Sequence, residues 1–351
     1  MKKTIWLLSL SLLLSLSLFL TACGKQDEDA KDEASVPEPE FTCPLDGEEL
    51  SSAEDHGDSV FMVSIDNGAG AAPQSGLNAA DLLIELPVEG GINRFLAFYY
   101  HNQPDTIGPV RSARHYFYDI VKGYNATQTH CGGSSMAYDI IDSGSVQDID
   151  EMACSSNFWR SSERSAPHNL YTSYELLSKK AADRGYPTVS LADCPGFRFY
   201  SNAERGKLTF GGVSELTIPY RYQEAAYRWD ELNLNYVRYS GGKIHTDALD
   251  NKALTADNVV VLYIDYVVME DGSHLDMTFT SGSGLLLQYG TVTEINWSIS
   301  KGNGFSFTET ATGKEVQLIP GKTIIQVAKT TETATYTEPE AEEDTTAEGA
   351  E

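Results

Sequence analysis

Basic residues are scarce in this 351-residue chain: 25 Lys and Arg stand against 51 Asp and Glu, a formal net charge of −26. Nucleic acid binding draws on counterion release from a basic face, so a duplex is excluded as a general partner. Signature loops are missing too. No Lys follows Gly132-Gly133, so there is no Walker loop. The G-x-S-x-G elbow is absent, and no Cys-x-x-Cys, i,i+4 His pair or calcium loop occurs. Neither a metal nor a cofactor is therefore expected. The chain also lacks heptads and short repeats, and its hydrophobic share is 41%, which excludes coiled coil, collagen and full disorder.

After residue 22 no run is long and apolar enough to span a bilayer. What comes before it is a targeting signal. Lys2 and Lys3 precede an apolar stretch from Ile5 to Leu20, and Leu20-Thr21-Ala22-Cys23 follows. A Cys directly after small residues resembles the bacterial lipobox, in which that Cys is acylated and becomes the first mature residue. Residues 1–22 are thus expected to be a lipoprotein signal peptide, and Cys23 the lipid anchor. Two acyl chains suffice for stable anchoring, since each buried CH₂ contributes ~0.8 kcal/mol. Residues 23–42 form an acidic linker. Residues 331–351 hold eight acids and no base, and are expected to be a disordered tail. The other four cysteines, Cys43, Cys131, Cys154 and Cys194, allow three disulfide pairings outside the membrane, and at least one bridge is expected.

The body reads as α+β. Ser59–Asp66, Asp81–Val88 and Asn93–Tyr100 are strands, the last two joined by the Glu89-Gly90-Gly91 turn as a hairpin. Gly108-Pro109 opens a helix through about Lys122, with Pro at the first helical position. A strand ends at Cys131, and Gly132-Gly133 leads into a helix near Met136. Another helix runs from Ser173 to Arg184, capped by Ser173 and stopped by Gly185. After about Phe210 strands dominate. The expectation is a layered mixed α/β domain over 43–208, followed by a smaller β-rich domain over 209–330.

Several residue groups carry chemistry. Arg111 and Arg114, at i and i+3, share a helix face near a positive helix end, where two guanidiniums require an anion. That anion is either a bound carboxylate or phosphate, or the protein's own Asp66, Glu85 or Glu89. His130-Cys131-Gly132-Gly133-Ser134 is a strand-to-helix turn able to offer amides to an anion. Asp66, His168 and Ser134 can be written as a triad, although triads are recognised by geometry. Cys131 neighbours His130 on a strand and so points away from it. His168 and Asn169 either face a cleft or pin a long loop.

Asp66-Asn67, Pro73-Gln-Ser-Gly-Leu77, Pro87-Val-Glu-Gly-Gly91 with Arg94, Gly108-Pro-Val-Arg-Ser-Ala-Arg114, His130 with Gly132-Gly-Ser134, and Pro167-His-Asn-Leu-Tyr171 occur in that order. Together they resemble the YerB-like lipoproteins, the family defined by a domain of unknown function numbered 3048. Asp271-Gly272, Gly282-Ser-Gly284, Trp297 and Pro320-Gly-Lys-Thr323 are similar to that family's C-terminal domain. The resemblance implies a mixed α/β first part, a β domain after it, and an envelope lipoprotein of a Gram-positive bacterium. It implies no reaction. Cys43, Cys131 and the acidic tail depart from the family pattern. The expected function is non-catalytic binding of an anionic envelope ligand or partner protein on the outer face of the cytoplasmic membrane. The expected ligand-binding residues are Asp66, Asn67, Glu89, Arg94, Arg111, Arg114, His130, Ser134, His168 and Asn169. Two alternatives stand beside it: a cell-wall hydrolase or transferase using His130 or His168, and a scaffold for cell-wall synthesis proteins.

Overall fold

The structure, a computed structural model, describes residues 37–337. The signal segment, Cys23, the linker up to residue 36 and the tail from residue 338 lie outside the described residues. The apolar runs become β1 (Phe61–Asp66), β2 (Leu82–Pro87) and β3 (Asn93–Tyr99), buried along their whole length. Such runs suit strands covered on both faces. β4 (Thr127–His130) and β5 (Gln147–Asp150) follow. The later half supplies β6 (Glu215–Ile218), β7 (Ala225–Asp230), β8 (Asn235–Ser240), β9 (Asn258–Tyr263), β10 (Ser281–Gln288), β11 (Thr291–Ser300), β12 (Gly304–Glu309), β13 (Thr323–Ala328) and β14 (Thr335–Tyr336).

One ten-stranded sheet runs in the order β12-β11-β10-β9-β13-β2-β3-β1-β4-β5. It takes strands from both halves of the chain, and β13 joins them by pairing in parallel with β2 and with β9. The hydrogen-bond ladder is continuous across the division expected between 43–208 and 209–330, so the two segments share one sheet. β1, β2, β4, β5, β9 and β13 run the same way, with β3 antiparallel between β1 and β2. A second sheet is built on β8-β7-β6-β14.

The large sheet has a core on each face. On one, α1 (Phe117–Tyr124) buries Phe117, Ile120 and Val121 in a core with Met62, Leu82, Leu96 and Phe98. α2 (Ser135–Asp142) adds Ala137 to the same core. On the other, α3 (Tyr174–Asp183) and the second sheet meet Phe61, Val63, Phe95 and Ile324. Alternation assigns Phe61 and Met62 to opposite faces, as strand geometry requires. With the short α4 (Asn202–Arg205), the described residues hold four α-helices in a mostly β, mixed fold.

Three expectations need correction. The helix read from Pro109 starts only at Phe117, because Val110 and Arg111 give their N–H groups to the carbonyls of Leu170 and Ser64 and lie extended. Arg111 and Arg114 therefore do not share a helix face, and neither lies within the helix whose dipole they were expected to oppose. All four described cysteines are free thiols. The first tail residues are ordered, since Thr335 and Tyr336 pair with Thr217 and Leu216. The end of the linker is also fastened: Glu38 accepts hydrogen bonds from the N–H groups of Asn202 and Ala203.

Candidate anion site at the carboxyl edge of the sheet

Parallel strands bring their ends, and the loops that follow, to one edge. Asp66 ends β1, Glu89 follows β2 and His130 ends β4; Arg94, in register opposite Asp66, opens the antiparallel β3. In open α/β sheets ligands bind outside such carboxyl ends. The extended segment 110–113 lies across this edge, tied to β1 by Arg111 N to Ser64 O and to the 131–133 turn by Cys131 N to Arg111 O.

Asp66 is the hub. Its buried carboxylate lies 2.9 Å from Arg111 Nε and 2.7 Å from His168 Nδ1. Gly68 N donates to it as well. Gly70 makes room for the ring, because a Cβ there would sit 3.0 Å from His168 Nε2. The Arg111 and His168 side chains keep 25% and 31% of their surface exposed, so solvent reaches both. Glu89 accepts from Arg114 Nε at 2.6 Å, whereas Arg111 Nε, though close to Asp66, lacks hydrogen-bond geometry there.

Arg94 differs. It is 5% exposed, and its one hydrogen bond runs from Nη1 to the Ser112 carbonyl at 2.7 Å. Among the described residues it has no carboxylate partner, and its Nε is buried without an acceptor. Burial, then the Arg114 and Arg111 charges, lower its pKa to about 10, still protonated at neutral pH. Glu89 Oε1 is likewise buried and unpaired.

The other sequence-derived residues are placed differently. His130 is fully buried, with Nδ1 2.8 Å from the Gly132 carbonyl and Asp148 and Asp150 nearby, so it holds the turn and does not line an open cleft. Ser134 caps α2 by accepting from Ala137 N, and among the described residues its hydroxyl makes no hydrogen bond to His168 or Asp66. Asn169 accepts from Arg160 and donates to the Ser161 carbonyl, pinning its loop. Burial and Glu151 push the Cys131 thiol up to about 11, away from nucleophilic use.

Asn67 points inward, into a closed ring of hydrogen bonds. Its Nδ2 donates to Glu85 Oε1, Glu85 Oε2 accepts from Arg238 Nη2, and Arg238 Nη1 meets His245 Nδ1. His245 Nε2 reaches Gln74 Oε1, and Gln74 Nε2 donates back to Asn67 Oδ1. Burial and the Arg238 charge hold His245 well below its usual pKa. The neutral ring then accepts at Nδ1 and donates at Nε2, as this circuit requires. Arg238 is raised, because Glu85 and Tyr227 outweigh its burial. Sequence reading missed Arg238, His245 and Gln326 entirely. The available signal was a charged or amide side chain within a strand: Glu85 in LLIELP, Arg238 in NYVRYS, and Gln326 in TIIQVA, whose Nε2 donates to Glu85 Oε2.

Residues 45–187 match the N-terminal domain, and residues 216–325 the C-terminal domain, of the proteins of unknown function designated DUF3048. The chain belongs to the DUF3048 family. A curated relative from Bacillus subtilis (strain 168), named "Putative lipoprotein YerB", is 32% identical over 272 residues, covering 76% of this chain and 80% of the relative. The crystal structure of the YerB protein from Bacillus subtilis superposes with a TM-score of 0.76 at 29% identity, over 85% of this chain and all of that one. The carboxyl-edge residues from Asp66 to His168 all fall within the N-terminal DUF3048 segment. Arg238 falls within the C-terminal one, so the buried ring joins the two DUF3048 segments.

Proposed function

We propose that this protein is a lipid-anchored, extracytoplasmic binding protein for an anionic cell-envelope ligand, a carboxylate or phosphate held by Arg94, Arg111 and Arg114. The lipobox at Cys23 and the lipoprotein name of the Bacillus relative support the anchor and the outer face of the cytoplasmic membrane. The Arg94 guanidinium carries the ligand reading. A buried cation without a counter-ion is costly, and the three guanidiniums outnumber Asp66 and Glu89. Each of those two carboxylates lies against an Nε, which leaves the Arg111 terminal nitrogens and Arg114 Nη2 for a guest, since Arg114 Nη1 donates to the Ala113 carbonyl. His168, oriented by Asp66, adds a donor at the exposed rim.

The test is calorimetric titration of the full chain with inorganic phosphate and with citrate. Arg94→Met and Arg111→Gln should weaken binding at least tenfold. The melting temperature of Arg94→Met should hold or rise, because an unpaired buried charge is removed. Binding by Arg94→Met within twofold of the parent rejects the site. The Asp66–His168 pair also favours a second reading, a hydrolase or transferase with His168 as general base. In that case His168→Ala should abolish turnover of muropeptides while weakening phosphate binding far less than Arg94→Met does.

A further inference from the structure

A second cluster of reactive side chains sits at the opposite edge of the sheet. Cys43 and Asp46 lie in the turn after Phe41–Thr42, Asp81 immediately precedes β2, and His101 follows β3. One donor atom from each lies within 4.8 Å of the other three. With bonds of ~2.0–2.3 Å to a tetrahedral zinc, donors stand about 3.5 Å apart, so only a small contraction separates the four from a coordination shell. Cys43, Asp46 and Asp81 are buried, whereas His101 is half-buried and opens the cluster toward solvent.

Two features favour a bound cation here. His101 Nδ1 is buried and has no hydrogen-bond partner. The charges also fail to balance. Lys322 is the buried ammonium here, and it bonds the carbonyls of Leu77, Asn78 and Ala80, with no carboxylate in contact. It nevertheless serves four carboxylates within electrostatic reach, Asp81, Asp46, Asp257 and Asp247.

We propose that Cys43, Asp46, Asp81 and His101 bind a thiophilic divalent metal ion of the zinc class. On binding, Cys43 and the protonated fraction of Asp46 release their protons to solvent, and Cys43 coordinates as thiolate. The thiolate and the Asp46 and Asp81 carboxylates then oppose the metal's two charges and the Lys322 ammonium, so the buried group is neutral. Asp81 accepts from the N–H groups of Tyr100, His101 and Asn102 and from Asn102 Nδ2. The last is its only side-chain donor among the described residues, and turning it away frees a lone pair for the ion. Sequence spacing gave no sign of the site because its ligands come from three distant stretches. The inference is independent of the anion reading.

The experiment uses the full chain, reduced and stripped with chelator, then equilibrated with zinc and assayed by elemental analysis and thermal melting. Cobalt serves as the optical probe. One zinc per chain, a raised melting temperature and a thiolate-to-cobalt charge-transfer band are expected. Cys43→Ser and His101→Gln should each weaken zinc binding at least tenfold, and Cys43→Ser should abolish the band. His101 is half-buried, so His101→Gln serves as the variant that keeps the fold if Cys43→Ser does not. Zinc uptake by the parent no greater than by the Cys43→Ser, His101→Gln double variant, or a cobalt complex without the band, overturns the proposal.

Discussion

Asp46 shows how one buried carboxyl can set a pH dependence. Its pKa is about 7 in the fold against an ordinary 3.8, through burial first and Asp81 second. Between these values the native state holds a proton that the unfolded chain has released. The unfolded state therefore binds fewer protons, and stability falls as pH rises. The contribution is fully present below about pH 4 and is lost as pH passes about 7. Asp257, raised to about 6 by burial, acts in the same direction. The melting temperature of the metal-free chain should thus decline from about pH 5 to pH 8. Asp46→Asn should flatten most of that decline, on the order of a few kcal/mol. Fluorescence melting across this range checks it, and an unaltered slope in Asp46→Asn refutes the assignment. At this scale residue type was legible and partnership was not. Arg94, Arg111 and Arg114 announce anion chemistry by their type and clustering in short motifs, but only the fold shows that Asp66 and Glu89 take two of them and leave the third unpaired.

Elements were legible wherever the apolar pattern was strong, and misread where a local rule met a distant partner. β1, β2, β3 and the capped α3 follow from their runs and from Ser173, whose hydroxyl accepts from Leu176 N. The supposed helix after Pro109 obeyed a sound capping rule. It lost to sheet-type bonds with Ser64 and Leu170, which no local window contains. His130 failed for a related reason: β4 is buried at every position, so a histidine there has no open side. The pairing of β2 with β8 across the two sheets carries its own prediction. Glu85 and Arg238 are each about 1% exposed and meet at 2.6 Å. Glu85→Ala leaves Arg238 charged and unpaired, and should destabilise by about 3–5 kcal/mol. Glu85→Leu combined with Arg238→Met should recover most of that loss, since a well-packed apolar pair of similar volume avoids the desolvation cost. Urea denaturation of the single and double variants beside the parent measures both. Equal losses in the single and double variants would show that the ring, and not the ion pair, sets the cost.

At the scale of the molecule, the two DUF3048 segments share one sheet in the described residues, because β13 is inserted between β2 and β9. Sequence composition shows a change of character near residue 210, and that change is real: helices stop and strands take over. It does not show that the late strands return to extend the early sheet, since strand order is decided by long-range pairing. The consequence is testable by division. Residues 37–208 alone would expose the edge of β2, a strand buried at all six positions. They would also lose the cover that Leu216, Ile218, Tyr227 and Tyr236 give to Phe95 and Val63, and leave Glu85 without Arg238. A long apolar edge of this kind recruits other chains. The 37–208 fragment should therefore aggregate when expressed by itself, and co-purify in equal amount with residues 209–337 when the two are expressed together. A soluble 37–208 monomer with its own sharp thermal transition would show that the ladder through β13 is an adjunct to an already complete domain. Failure of both arrangements, with only the uncut chain soluble, would instead place the decisive pairing early in folding, before two separate pieces can find each other.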